Sequence, residues 1–229
     1  MKERGMIFNG EMVRAILDGR KTQTRRIIKD CTVGRDQISK FIQIEKKFIG
    51  CYPEDVPELI RECCPYGVPG DRIWVRETWA TLGNEDGCYV DWEDNLCKGD
   101  ERSAARIYRA SCEQIPGDYG LWSIPDDAYW KPHTKEHKFE GAWRPSIHMP
   151  RWASRILLEI TDVRVERLQS ITLGDICKEV GCGLYDFRPA TYGFQVWEEL
   201  WKSIYGAENW QANPWVWVIS FERVEGGAA

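Results

Sequence analysis

The chain has little that would tie it to a membrane, a metal or export. No stretch approaches the ~18 uninterrupted apolar residues that cross a bilayer. No apolar run follows the opening Met1-Lys2-Glu3-Arg4-Gly5 to act as a signal peptide. Histidine is scarce, three in 229 residues. His133 and His137 have i, i+4 spacing, but Pro132 and the neighbouring lysines do not build a rigid helix that would aim both at one metal. No cysteine pair has CxxC spacing, so neither zinc nor any other cofactor is expected. An odd count of nine cysteines without an export signal points to reduced thiols in a cytoplasmic protein.

What is present describes an ordinary soluble chain, 43% hydrophobic and 29% charged. The length suits one sizeable core. We expect a single domain over 1–229, with 82–142 as an insertion, acidic first and then rich in Pro, Gly, Tyr and Trp. A net charge of −5 speaks weakly against indiscriminate nucleic-acid binding, but the distribution is uneven. Residues 85–101 hold seven acids and one lysine, whereas 143–155 hold three arginines and no acid. Such a dipole suits a protein that turns one positive face to a polyanion.

The most concentrated charge is Gly19-Arg20-Lys21-Thr22-Gln23-Thr24-Arg25-Arg26, four cations and two hydroxyls without an acid. A helix with Asn9 as N-cap and an apolar spacing of Met12, Val13, Ile16 and Leu17 leads to it, and Gly19 ends that helix. An ammonium near a hydroxyl can lower its pKa or, once neutral, act as its base. A solvated basic edge strand accounts for the same charges. In a regular strand Lys21 and Thr24 face opposite ways, so their cooperation needs a turn, a bulge or helical geometry.

Residues 30–60 read as a strand or two. The strand 72–79 alternates, with Ile73, Val75, Glu77 and Trp79 on one face. Glu77 among aliphatics is either paired with a cation or raised in pKa, and a structural pair with an arginine explains it equally well. From Trp143 to Trp152, indoles and prolines flank Arg144, His148 and Arg151. Either the aromatics stack on bases while the arginines hold phosphate, or the segment is a tryptophan-proline clamp. Ile156, Leu158 and Ile160 alternate and Val163 and Val165 continue on the other parity, implying a bulge at Thr161-Asp162. Thr172 and Asp175 open a short helix that ends before Gly181. Glu179 in its last turn opposes the helix dipole; a surface glutamate is the simple reading. Phe194, Trp197, Leu200, Trp201 and Ile204 form a core stripe, and 214–224 is a strand, apolar on both faces as far as Ile219, as expected of one buried on both sides.

Gly-Arg-Lys-Thr-x-Thr-x-Arg after a short amphipathic helix resembles the signature of the ASCH domain, a small β-barrel related to the PUA RNA-binding domain. Tyr66-Gly67-x-Pro69-Gly70-Asp71-Arg72-x-Trp74-Val75-Arg76-Glu77 and the Trp143–Trp152 run resemble the large ASCH proteins of phage and prophage genomes. The family-wide likeness covers about half the chain, and the phage-type likeness nearly all except parts of 30–60 and 82–140. The resemblance implies an α+β fold, a PUA-like ASCH β-barrel with flanking helices and a large inserted loop region.

Small ASCH proteins with this pattern include amidohydrolases that remove the acetyl group of N4-acetylcytidine. The likeness then makes Lys21, Thr24 and Glu179 the catalytic set. Thr24 attacks the amide, Lys21 activates it, and Glu179 passes a proton to the leaving amine. Val180 separates Glu179 from its glycine, so Glu77 stands in reserve. Arg20, Arg26, Arg76, Trp143, Arg144, His148, Arg151 and Trp152 would contact a modified nucleoside or RNA. Arg20, Lys21, Arg26, Arg144 and Arg151 are expected on one cleft. The alternatives are a non-catalytic reader, with Lys21 exposed to phosphate, and a ribonuclease, for which the histidines are few. No obligate protein partner is evident.

Overall fold

The structure is a computed structural model that describes residues 1–29, 31–32, 40–44, 47–51, 60–61, 63–83, 88–93, 95–98, 101–112, 143–183 and 186–224, with 31–51 as backbone only. His133, His137 and most of the expected insertion lie outside the described residues. The strands are β1 (Glu3–Ile7), β2 (Gln23–Ile27), β3 (Cys31–Thr32), β4 (Lys40–Ile44), β5 (Lys47–Cys51), β6 (Arg72–Arg76), β7 (Trp79–Thr81), β8 (Arg106–Tyr108), β9 (Leu157–Arg167) and β10 (Trp215–Arg223). The helices are α1 (Gly10–Leu17), α2 (Arg109–Cys112), α3 (Leu173–Val180), α4 (Ala190–Tyr205) and α5 (Ala207–Gln211).

The main sheet has the order β1-β6-β9-β10-β2. β10 runs antiparallel to β9 and to β2. Arg72 N donates to Lys2 O (2.8 Å) and Phe8 N to Arg76 O (3.1 Å), so β1 and β6 run parallel and the sheet is mixed. The α+β class expected from sequence is present. The sheet is not closed into a barrel: β1 and β2 are its two edges. One outward carbonyl of β2, that of Gln23, is taken by the Lys21 ammonium and not by another strand.

The chain groups into two compact units. The first comprises residues 1–4, 18–73 and 158–224. In it Val216 and Val218 of β10 pack with Ile176 of α3 and Trp197 and Trp201 of α4. The bulge falls where the parity switch puts it. Ser220 pairs with Asp162 but Phe221 with Ile160, leaving Thr161 as the extra residue. On α4 the expected stripe is narrower than the spacing suggests. The indoles of Trp197 and Trp201, centroids 5.5 Å apart, fill the contact, while Phe194 and Ile204 stay 43% and 42% exposed. A three-stranded sheet, β3-β5-β4, lies within 31–51, one strand more than the upper bound of the sequence reading.

α3 shows why its sequence makes a short helix. Thr172 accepts a hydrogen bond from Asp175 N (3.2 Å) as N-cap. Gly181 closes the other end at φ 81°, where a side chain would be strained. Thr172→Ala is expected to remove about 1 kcal/mol of stability, read as a lower urea midpoint at unchanged slope.

The second unit comprises residues 5–17 and 74–157 among those described. Asn9 Oδ1 caps α1 by accepting from Met12 N at 2.8 Å. The strand expected over 72–79 stops at Arg76. Glu77 N donates to Met149 Sδ (3.3 Å) and Thr78 O accepts from Arg109 N (3.0 Å), so both leave the ladder. β7 then starts a separate pairing with β8.

Candidate active site

The chain from Arg20 to Thr22 closes the C-terminal end of α3. A helix leaves its last carbonyls unpaired, at the negative end of its dipole. Here Thr22 N donates to Lys178 O (3.2 Å), Lys21 Nζ to Glu179 O (2.6 Å), and Arg20 Nη1 to Gly181 O. Arg20 is also paired with Asp18 at 2.7 Å. Three successive residues of one segment thus satisfy the turn that carries Glu179.

Lys21 is wholly buried, its side chain 0% exposed. Its three donors meet Glu179 O (2.6 Å), Gln23 O (2.7 Å) and Glu179 Oε2 (3.1 Å). Glu179 is buried too, which excludes the surface-glutamate reading. Its other oxygen, Oε1, accepts from Arg25 Nη1 at 3.1 Å. Arg25 is held in turn by Gln23 Oε1 (2.8 Å), Glu166 Oε2 (3.0 Å) and Asp175 Oδ2 (3.5 Å). Arg164 closes a ring by pairing Glu166 (2.5 Å) and Asp175 (3.2 Å). Lys21, Arg25 and Arg164 are thereby balanced by Glu166, Asp175 and Glu179.

Burial pulls the Lys21 pKa below the ordinary lysine value of 10.5; the Glu179 carboxylate pulls it back up, and Arg26 and Arg25 press it down. A lysine depressed on folding binds fewer protons in the native than in the unfolded state between its folded pKa and 10.5. Lys21 therefore adds stability as pH rises through that window. Lys21→Met should flatten that part of the pH–stability curve relative to the parent, measured by urea unfolding; an unchanged slope would assign it to other groups.

Thr24 is buried, but it is not on the Lys21 side. Gln23 and Arg25 point with Lys21 toward α3, and alternation turns Thr24 and Arg26 to the other face, Thr24 opposite Ile219. The strand supplies no turn or bulge at this point. Lys21 Nζ does lie against the Gln23–Thr24 peptide, 2.7 Å from its oxygen, and so within at most about 5.5 Å of the Thr24 Cα. Arg26 Nη1 donates to the Tyr205 hydroxyl at 3.4 Å.

The remaining candidates lie in the second unit. Glu77 is buried and held by both arms of Arg155, at 2.9 and 3.0 Å, with the guanidinium 4.1 Å above the Tyr108 ring. Burial pushes the Glu77 carboxyl above its usual range, and Arg155 opposes this. The pair with an arginine is thus present together with the raised pKa. Arg76 Nε donates to Ser146 O (3.1 Å) and Nη2 to Ile147 O, clamping that turn. Arg144 pairs with Glu101 and lies 4.9 Å over the Trp79 ring, against which Trp152 packs edge-on at 5.4 Å. Trp143 packs on the small core around Ile107. His148 is exposed and Arg151 half-buried.

The sequence reading missed Arg25, Arg164 and Glu166. Two signals were available: Lys21, Gln23 and Arg25 alternate onto one face, and a glutamate in the last turn of α3 needs a cation. Among the described residues no cluster of His, Cys, Asp or Glu could hold a metal ion, and no helix is long and apolar enough to cross a membrane. No protein-family model, curated protein or solved structure matches the chain.

Proposed function

We propose that this chain is an amidohydrolase of the ASCH type, acting on N4-acylated cytidine or a similar modified base. The supporting observation is the buried contact of Lys21 with Glu179, 158 positions apart in sequence. These are the two residues to which the ASCH likeness gives the proton-transfer roles, and they meet beside the peptide that leads into Thr24. A desolvated lysine with a lowered pKa gives up its proton more readily than an ordinary lysine, as a general base must.

In the reaction the Thr24 hydroxyl attacks the amide carbonyl and a neutral Lys21 amine takes its proton. The C–N bond of the tetrahedral adduct breaks, the N4 nitrogen leaves with a proton returned through Glu179, and a threonyl ester remains. Water then cleaves the ester, releasing a carboxylic acid and restoring the hydroxyl. Because Lys21 precedes β2 on the α3 side and Thr24 leaves the other face of the strand, Lys21 has to give up Gln23 O to reach Thr24.

A specific observation favours a second reading, a base-binding module without chemistry. All three Lys21 donors are satisfied in the resting state, as expected of a structural cation. The burial of Lys21 removes the phosphate contact first expected for such a module, which would rely on other groups. The test is a panel of N4-acylcytidines and short RNAs, followed for release of the free base and for binding. Base release supports the hydrolase; binding without release supports the module. If RNA is the ligand, affinity should fall steeply with salt as counterions are released. Neither release nor binding would sink both readings.

A further inference from the structure

Arg25 falls at a variable place in the Lys-Thr-x-Thr-x-Arg pattern, yet its side chain is as deeply buried as that of Lys21, 0% exposed in both. Its two amino groups do different things. Nη1 reaches the oxygen of Glu179 that Lys21 does not use, and Nη2 reaches Glu166 and Asp175 at the half-open end of the network. A guanidinium stays charged throughout the pH range of the protein. We propose that Arg25 is the positioning residue of the Lys21–Glu179 pair: by holding Glu179 Oε1 it lets Lys21 lose its proton without leaving a buried carboxylate unpaired. This inference rests on the reading of Lys21 as a base.

The charge balance makes the role specific. With Lys21 neutral, Glu179 keeps one full partner; without Arg25 it would keep none, and an unpaired buried carboxylate is strongly disfavoured. Lys21 would then retain its proton. The charged groups around Lys21 are Glu179 on α3 and Arg25 and Arg26 on β2, with Glu166 and Arg164 on β9 and Asp175 on α3 behind Arg25. β10 presents only the neutral Ser220 and Val218 beside Gln23 and Arg25. Trp197 of α4 lies 5.9 Å from the Arg25 guanidinium.

The test follows the Lys21 ammonium directly, by NMR titration of lysine-labelled full-length protein, with the signal assigned by its loss in Lys21→Met. Arg25→Gln should move the Lys21 titration up by about one pH unit or more, the usual effect of a close charge. That shift alone could reflect summed charge. Arg25→Gln with Glu166→Gln keeps the sum and removes the fork, and should retain at least about half of the shift. Arg25→Lys keeps the charge but not the two-armed geometry, and should show a smaller rise in the same direction. Any one folded variant can overturn the proposal, by a double variant back at the parent value or by an unmoved titration in Arg25→Gln or Arg25→Lys; a retained shift in the double variant supports it. Failure of the hydrolase reading is separable. A protein that releases no base but shows these shifts loses that reading and keeps this one. A protein that hydrolyses the amide with Lys21 unmoved does the reverse.

Discussion

Thr24→Ala and Lys21→Ala should each lower the rate of N4-acylcytidine hydrolysis by at least ~100-fold, the scale for losing a nucleophile or general base. Groups that act as one catalytic unit are strongly non-additive, so the double variant should lose little more than either single one. Binding of a non-hydrolysable cytidine analogue should fall far less in Thr24→Ala, because a lost hydroxyl removes bond-making and few contacts. Lys21→Ala also opens a buried site, so its rate must be read per folded molecule. Full activity in Thr24→Ala would falsify the ester mechanism. The remaining candidates are then the Lys21–Glu179 pair acting on water, or Glu77 with a bound water.

The largest loss of stability should come from Glu179→Ala. That change strands Lys21 and Arg25, both wholly buried, without the carboxylate they share at 3.1 Å on either side. Breaking one partner of a buried pair typically costs about 3–5 kcal/mol, and here two cations lose it. Glu179→Gln keeps the shape and one acceptor, so it should be milder in stability while still blocking proton transfer. Denaturant unfolding of the two variants beside the parent checks the order. If Glu179→Ala unfolds with the midpoint of the parent, the ion network is not held as described.

Local signals were legible wherever the physics was local. The Asn9 and Thr172 caps, the Gly19 and Gly181 stops and the bulge at Thr161 all follow from chemistry a few residues wide, and all are present. The pairing of Glu77 was legible as a need for a cation, though Arg155 itself could not be named. Sheet closure was not legible, because which strands become edges depends on pairings between distant segments. The same holds for Arg25. Among four clustered cations nothing local says which is buried, and the answer lies in α3 and β9, more than 140 positions away. Arg76 and Arg144 looked available for phosphate because their partners, a pair of carbonyls and Glu101, are also distant in sequence.

The closure of α3 by Arg20, Lys21 and Thr22 has a consequence for the growing polypeptide. β2 has a single neighbour in the main sheet, β10, and the carboxylates that hold Lys21 and Arg25 stand on β9 and α3. During synthesis β2 therefore emerges with no strand to pair with until residues 157–223 have left the ribosome, whereas β1 can already meet β6. Until then two cations destined for the interior stay in water. Premature termination anywhere before β10 should leave β2 without its partner strand and open to proteases.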